Sequence, residues 1–151
     1  MKAFTCHVCQ QLIFFENVQC LRCQSALGYL PDVGVLSALE PAADGEWRPH
    51  APEAGDRRYK MCLNYSQERV CNWLLASEDD ANLLCLACRF NQTIPDLSLP
   101  ENRSLWQRLE TAKRRLGQPD MYPFVLSPMA VKKLGFVHQV VSNAAQPSAT
   151  G

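Results

Sequence analysis

Eight cysteines stand at positions 6, 9, 20, 23, 62, 71, 85 and 88, and none follows Cys88. Cys6/Cys9, Cys20/Cys23 and Cys85/Cys88 are C-x-x-C pairs, while eight residues separate Cys62 from Cys71. A C-x-x-C turn offers two thiolates from one tight knuckle, and two such turns close a tetrahedral metal site. In a reducing cell interior this spacing favours metal over disulfides. Cys6, Cys9, Cys20 and Cys23 meet the requirement within a short stretch. Cys62, Cys71, Cys85 and Cys88 form a second set of four, inferred as much by grouping what remains as by motif, because its first half is loose.

Other chemistries of the same residues point elsewhere. A dithiol redox motif uses one pair at a helix start in a βαβ context, whereas three pairs here sit in short, strand-like segments. The usual iron-sulfur spacings are absent, and ribbon-like pairs more often hold zinc. Iron in a rubredoxin-like site stays open at this point.

Charge supplies little further direction. Fifteen Lys+Arg balance fifteen Asp+Glu, so no global field gathers nucleic acid or anionic membrane. Eight thiolates would add eight negative charges and two divalent ions return four, leaving the loaded chain formally at −4. Lys2, Arg22, Arg57, Arg58, Lys60, Arg69 and Arg89 lie near the ligands in sequence and are expected to offset this. No apolar run approaches the ~20 residues of a membrane span, and the first residues lack a signal-like stretch. A soluble, cytoplasmic protein without a membrane partner is expected.

The patterning predicts a small α+β protein: zinc-ribbon modules built on β-hairpin knuckles, then C-terminal helices. Residues 1–30 read as the first four-Cys ribbon, with Leu12–Phe15 as a strand and Asn17 as a turn between the knuckles. Residues 31–56 read as a connecting segment and linker, because Pro41, Gly45, Pro49, Pro52 and Gly55 crowd its second half, although Val33–Leu36 could form a strand. Residues 57–98 read as the second four-Cys module, with strands at Tyr59–Cys62 and Asn72–Leu75 and a polar turn at 77–80. Residues 99–142 read as helical. Leu105, Leu109, Ala112 and Leu116 form an apolar stripe with Trp106 alongside, Asn102 is the expected N-cap, and Gly117 and Pro119 stop the helix. A last helix is expected from Ser127-Pro128, burying Ala130, Leu134, Val137 and Val141, before a polar tail at 143–151.

Neither four-Cys unit is large enough to fold on apolar burial alone, since domains below about 40 residues usually need a metal or disulfide. Metal binding is then folding.

A catalytic zinc needs an open position and commonly His or carboxylate ligands near a general base. The three histidines, His7, His50 and His138, include no i, i+4 pair, so H-E-x-x-H is absent. His7 reads as a solvent-facing knuckle residue and His50 as part of the linker. No phosphate loop or nucleophile elbow is present, and no catalytic residues are assigned. Arg103, Arg108, Lys113, Arg114 and Arg115 give one helix a basic face that could grip phosphates. A solvated face, or one that meets a protein partner, is the preferred reading of it.

Phe14–Asn17 leading into Cys20–Cys23, Ala26–Tyr29, Cys71–Leu74, Leu84–Arg89, Ile94–Ser98 and Trp106–Arg115 form a set of segments within residues 1 to about 116. Together they resemble a bacterial family that joins an N-terminal zinc ribbon to a zinc-binding metallopeptidase domain. Tyr122–Leu126 and Lys133–His138 resemble the far end of the same family. The resemblance implies that an H-E-x-x-H helix should follow the basic helix, yet Gly117-Gln118-Pro119 leads almost directly to the terminal piece. Zinc binding retained and peptidase chemistry lost is the implication, with a structural or interaction role expected. A hydrolase active in a full-length form and a nucleic-acid-binding ribbon are the alternatives.

Overall fold

A computed structural model of the chain describes residues 2–116. The expected last helix, His138 and the polar tail lie outside the described residues. Two compact units are present, the first ending at Cys85 and the second beginning at Leu86.

The first unit starts with a hairpin of β1 (Ala3–Thr5) and β2 (Leu12–Phe14), in register Ala3 to Phe14 and Thr5 to Leu12. The first knuckle is thus the loop of this hairpin. Ile13 points inward while Leu12 and Phe14 face solvent, the alternation expected of a sheet with one covered face. The second knuckle follows, closed by a bridge between Gln19 and Ala26 that opens into β3.

A five-stranded antiparallel meander fills the rest. It runs β3 (Ala26–Leu30), β4 (Val35–Pro41), β5 (Trp47–Pro49), β6 (Tyr59–Met61) and β7 (Leu74–Ala76), in that spatial order. It curls until its ends meet at a parallel bridge between Tyr29 and Trp73, where the Tyr29 amide donates to Asn72 O at 2.7 Å. Curling covers both faces of the first strands, which is why Leu27–Leu30 and Leu36–Leu39 are buried without alternation.

Residues 31–56 are therefore no linker: they supply β4 and β5. The Pro and Gly residues mark tight turns, which are dense because the strands are short. Gly34 takes φ +73° in the β3–β4 turn, and Asp44 and Gly45 take φ 57° and 77° between β4 and β5. Pro49 ends β5, and Pro52 starts a single 3-10 turn, positions where a missing N–H costs nothing.

The ribbon and the meander share one core. The Tyr29 ring meets Phe15 edge-on at 5.0 Å, Phe4 at 6.4 Å and Trp73 at 5.3 Å between centroids. Asn72 Nδ2 donates to Phe15 O at 2.5 Å, and the Tyr65 hydroxyl reaches Leu27 O at 2.6 Å and Val18 O at 3.2 Å. The expected modules 1–30 and 57–98 are thus not separate bodies. Everything to Cys85 is one unit, because each part is too small to bury its own aromatics.

The second unit contains the one-turn helix α2 (Leu86–Arg89) and the longer α3 (Pro100–Leu116). Pro100 opens α3, so Asn102 lies inside it rather than capping it, and its side-chain amide donates to Asp96 O at 2.8 Å. The buried face is also one residue out of phase with the expected stripe. Asn102, Trp106, Glu110 and Arg114 are buried, whereas Leu105 is 49% exposed and Ala112 is exposed. Trp106 offers the largest apolar surface on the helix; burying it turns the i±4 positions inward and the leucines away.

Candidate metal centres

The two N-terminal knuckles are built alike. In the first, Cys6 N donates to Gln11 O and Gln10 N to Cys6 O; in the second, Cys20 N donates to Ser25 O and Gln24 N to Cys20 O, all between 2.8 and 2.9 Å. Gln10 and Gln24 take φ 63° and 62°, a left-handed conformation that disfavours a side chain and that turns the chain out of each knuckle. Cys6, Cys9, Cys20 and Cys23 converge, their sulfurs all within 4.8 Å of one another. Cys6 and Cys23 are 3.7 Å apart and Cys9 and Cys20 3.5 Å.

The second group forms differently. Cys62 ends the β6 segment, its amide donating to Trp73 O, and α1 (Leu63–Ser66) follows at once. That single turn, with Arg69 at φ 59°, takes up the eight residues before Cys71 and brings the chain back. Cys71 Sγ then lies 3.7 Å from Cys85 Sγ. Cys85 N donates to Cys62 Sγ at 3.3 Å and Trp73 N to Cys71 Sγ at 3.4 Å. Cys88 follows in the same knuckle, and the four sulfurs lie within 4.8 Å of one another. The loose Cys62/Cys71 spacing is thus a knuckle with a helical turn inserted.

Both groups fit zinc. A tetrahedral ion with Zn–S of about 2.3 Å has S···S edges of about 3.8 Å; three of the sulfur pairs stand at 3.5 to 3.7 Å and all lie within 4.8 Å. All eight thiols are free of disulfides. Among the described residues neither group includes a histidine or carboxylate oxygen, and four thiolates are the number a tetrahedral zinc takes.

The metal-free thiols of the first group differ in acidity. The Ser25 hydroxyl, 3.2 Å away, and the Ser25 amide hold Cys23 down to about 6. Desolvation pushes Cys9 up to about 12. Loading the site near neutrality therefore expels protons.

Of the cations expected to offset the thiolates, Arg22 stands at the first centre, donating from Nη1 to Cys9 O at 3.2 Å. Others are engaged elsewhere. Arg57 pairs with Asp32 at 2.5 Å, Lys60 with Asp80 at 3.2 Å, and Lys2 donates to Gly34 O at 3.3 Å.

Sequence reasoning passed over Glu110, a buried carboxylate of α3. Its carboxylate is buried and accepts from Trp106 Nε1 at 3.0 Å, Asn91 Nδ2 at 2.9 Å and Lys113 Nζ at 2.8 Å. Arg114 Nη1 is 3.8 Å away, and so is the Cys88 sulfur. The i, i+3 and i, i+4 spacing of Glu110 to Lys113 and Arg114 was the available signal. Lys113 and Arg114 are accordingly turned to Glu110, which leaves Arg103, Arg108 and Arg115 as the exposed cations of the expected basic face.

His7 is only partly exposed. It lines a cavity of about 210 Å³ with Phe4, Thr5, Gln10, Val35 and Glu53, and desolvation lowers its pKa. His50 is exposed after β5, with Nε2 3.4 Å from Glu40.

A ribbon whose paired knuckles present four cysteines to one ion defines the class to which the chain belongs: it is a member of a zinc-ribbon domain family, whose model matches residues 3–99. A second model, described as "Putative zinc-binding metallo-peptidase", matches residues 87–140 and so takes in α3. Uncharacterized proteins of Mycobacterium bovis and of two Mycobacterium tuberculosis strains, CDC 1551 and H37Rv, are 33% identical over 116 residues. That match covers 77% of this chain and 29% of each relative. No solved structure matches. Among the described residues, no helix is long and apolar enough to cross a membrane.

Proposed function

We propose that the chain is a non-enzymatic, structural or interaction module held in shape by two zinc ions, and that it works in a reducing, cytoplasmic setting. The observation that supports this is the donor set: among the described residues each centre has four cysteine sulfurs and no other donor in its group. A hydrolytic zinc keeps a position for water, and four thiolates leave none. The match to the metallopeptidase family then marks a shared architecture, with the ribbon as its folded front. The partner is a protein surface. Nucleic acid is the weaker choice, because Lys113 and Arg114 are committed to Glu110.

Elemental analysis of chain purified without added metal should give two zinc per molecule, together with no metal-dependent peptide hydrolysis. Hydrolysis that disappears on chelation and returns with zinc would overturn the reading.

A further inference from the structure

The two centres share a donor set but differ in access. Cys9 and Cys23 are partly exposed, whereas Cys6, Cys20, Cys62, Cys71, Cys85 and Cys88 are at most 1% exposed. The two partly exposed residues are the second cysteines of their knuckles, each followed by an exposed glutamine, Gln10 or Gln24. Each also lies against a buried sulfur of the opposite knuckle, Cys9 against Cys20 at 3.5 Å and Cys23 against Cys6 at 3.7 Å. Exposure and thiolate character together select which cysteines are oxidised. Zinc holds all eight as thiolates, so access decides.

We propose that the first centre is a thiol-oxidation site at which the thiolate of Cys9 or Cys23 attacks hydrogen peroxide and zinc is expelled, while the second centre keeps its ion. This rests on the reading of both groups as zinc centres. The exposed thiolate displaces hydroxide from the O–O bond, so that an S–O bond forms, sulfur is oxidised to sulfenic acid and peroxide is reduced. The facing thiolate then attacks that sulfur, forming the S–S bond and releasing a second hydroxide. Two thiolates are consumed per peroxide. The resulting pairs are Cys9–Cys20 and Cys6–Cys23, which must close by about 1.5 Å to reach the ~2.05 Å of a disulfide. With its thiolates consumed, the ion leaves.

The test uses the zinc-loaded full chain, with zinc first counted by elemental analysis. It is then treated with graded hydrogen peroxide while a chromogenic chelator reports released zinc and peptide mass mapping locates the disulfides. One zinc per chain should leave in a first phase, with disulfides confined to Cys6, Cys9, Cys20 and Cys23. A thiol reductant with added zinc should restore the starting state. A chain isolated without zinc overturns the reading of the centres, and the proposal with it. Two zincs present but released together, released first from the second centre, or not released at peroxide levels that oxidise a free thiol overturns the proposal alone.

Discussion

Ser25 illustrates how much a single hydroxyl does at a thiolate centre. Its hydrogen bond is the largest influence holding Cys23 down to about 6, so at neutral pH this sulfur is already ionised when zinc arrives. In Ser25→Ala the thiol climbs back towards its ordinary range, and zinc must displace a proton that it otherwise does not meet. Zinc affinity at pH 7 should fall about tenfold, in line with the loss of other partners of metal ligands, with stoichiometry unchanged. Competition titration against a chelator measures it, and the deficit should shrink as pH rises above that range. The C-x-x-C spacing showed which residues meet, but not this difference among them, because it depends on where the residue after each knuckle points.

Among the elements, β3 has little room for change at Gly28. A Cβ at Gly28 would stand 2.8 Å from Leu74 Cδ1 and 2.9 Å from Leu39 Cδ1, inside a core covered on both faces. Gly28→Ala should cost about 1–3 kcal/mol, measured by denaturant unfolding of the zinc-loaded chain. In α3 the corresponding residue is Glu110. Glu110→Ala would leave Lys113 and Arg114, with side chains 16% and 4% exposed, without their carboxylate, and breaking a buried ion pair from one side costs about 3–5 kcal/mol. Amide hydrogen exchange across 100–116 should accelerate by two orders of magnitude or more, whereas exchange in β3 and β4 should be unaffected. The existence of α3 was legible from its periodicity. Its phase was not, since Leu105 and Trp106 compete for the inner face and the contest is decided by what α3 packs against.

For the molecule as a whole, metal and fold are one equilibrium. Structural zinc contributes on the order of 10 kcal/mol, comparable to the entire stability of an ordinary domain. The first unit spreads one aromatic core over the ribbon and the meander. Chelation should therefore abolish its cooperative unfolding transition, together with the near-ultraviolet signal of Tyr29 and Trp73, rather than melting the N-terminal knuckles alone. Retention of the meander's signal in chain shown to be zinc-free would contradict this. The sequence alone determined the two sets of cysteines, the knuckles and most of the short strands, because these follow from contacts a few residues apart: a chelating turn, a period of two, a Pro or Gly at a fixed offset. Tertiary structure decided that residues 31–56 are sheet rather than linker, that Cys62 and Cys71 reach the same site across a helical turn, and that Glu110 rather than a leucine lies inside α3. Those outcomes depend on which surfaces remain to be covered once the strands have curled together, and no local pattern records that.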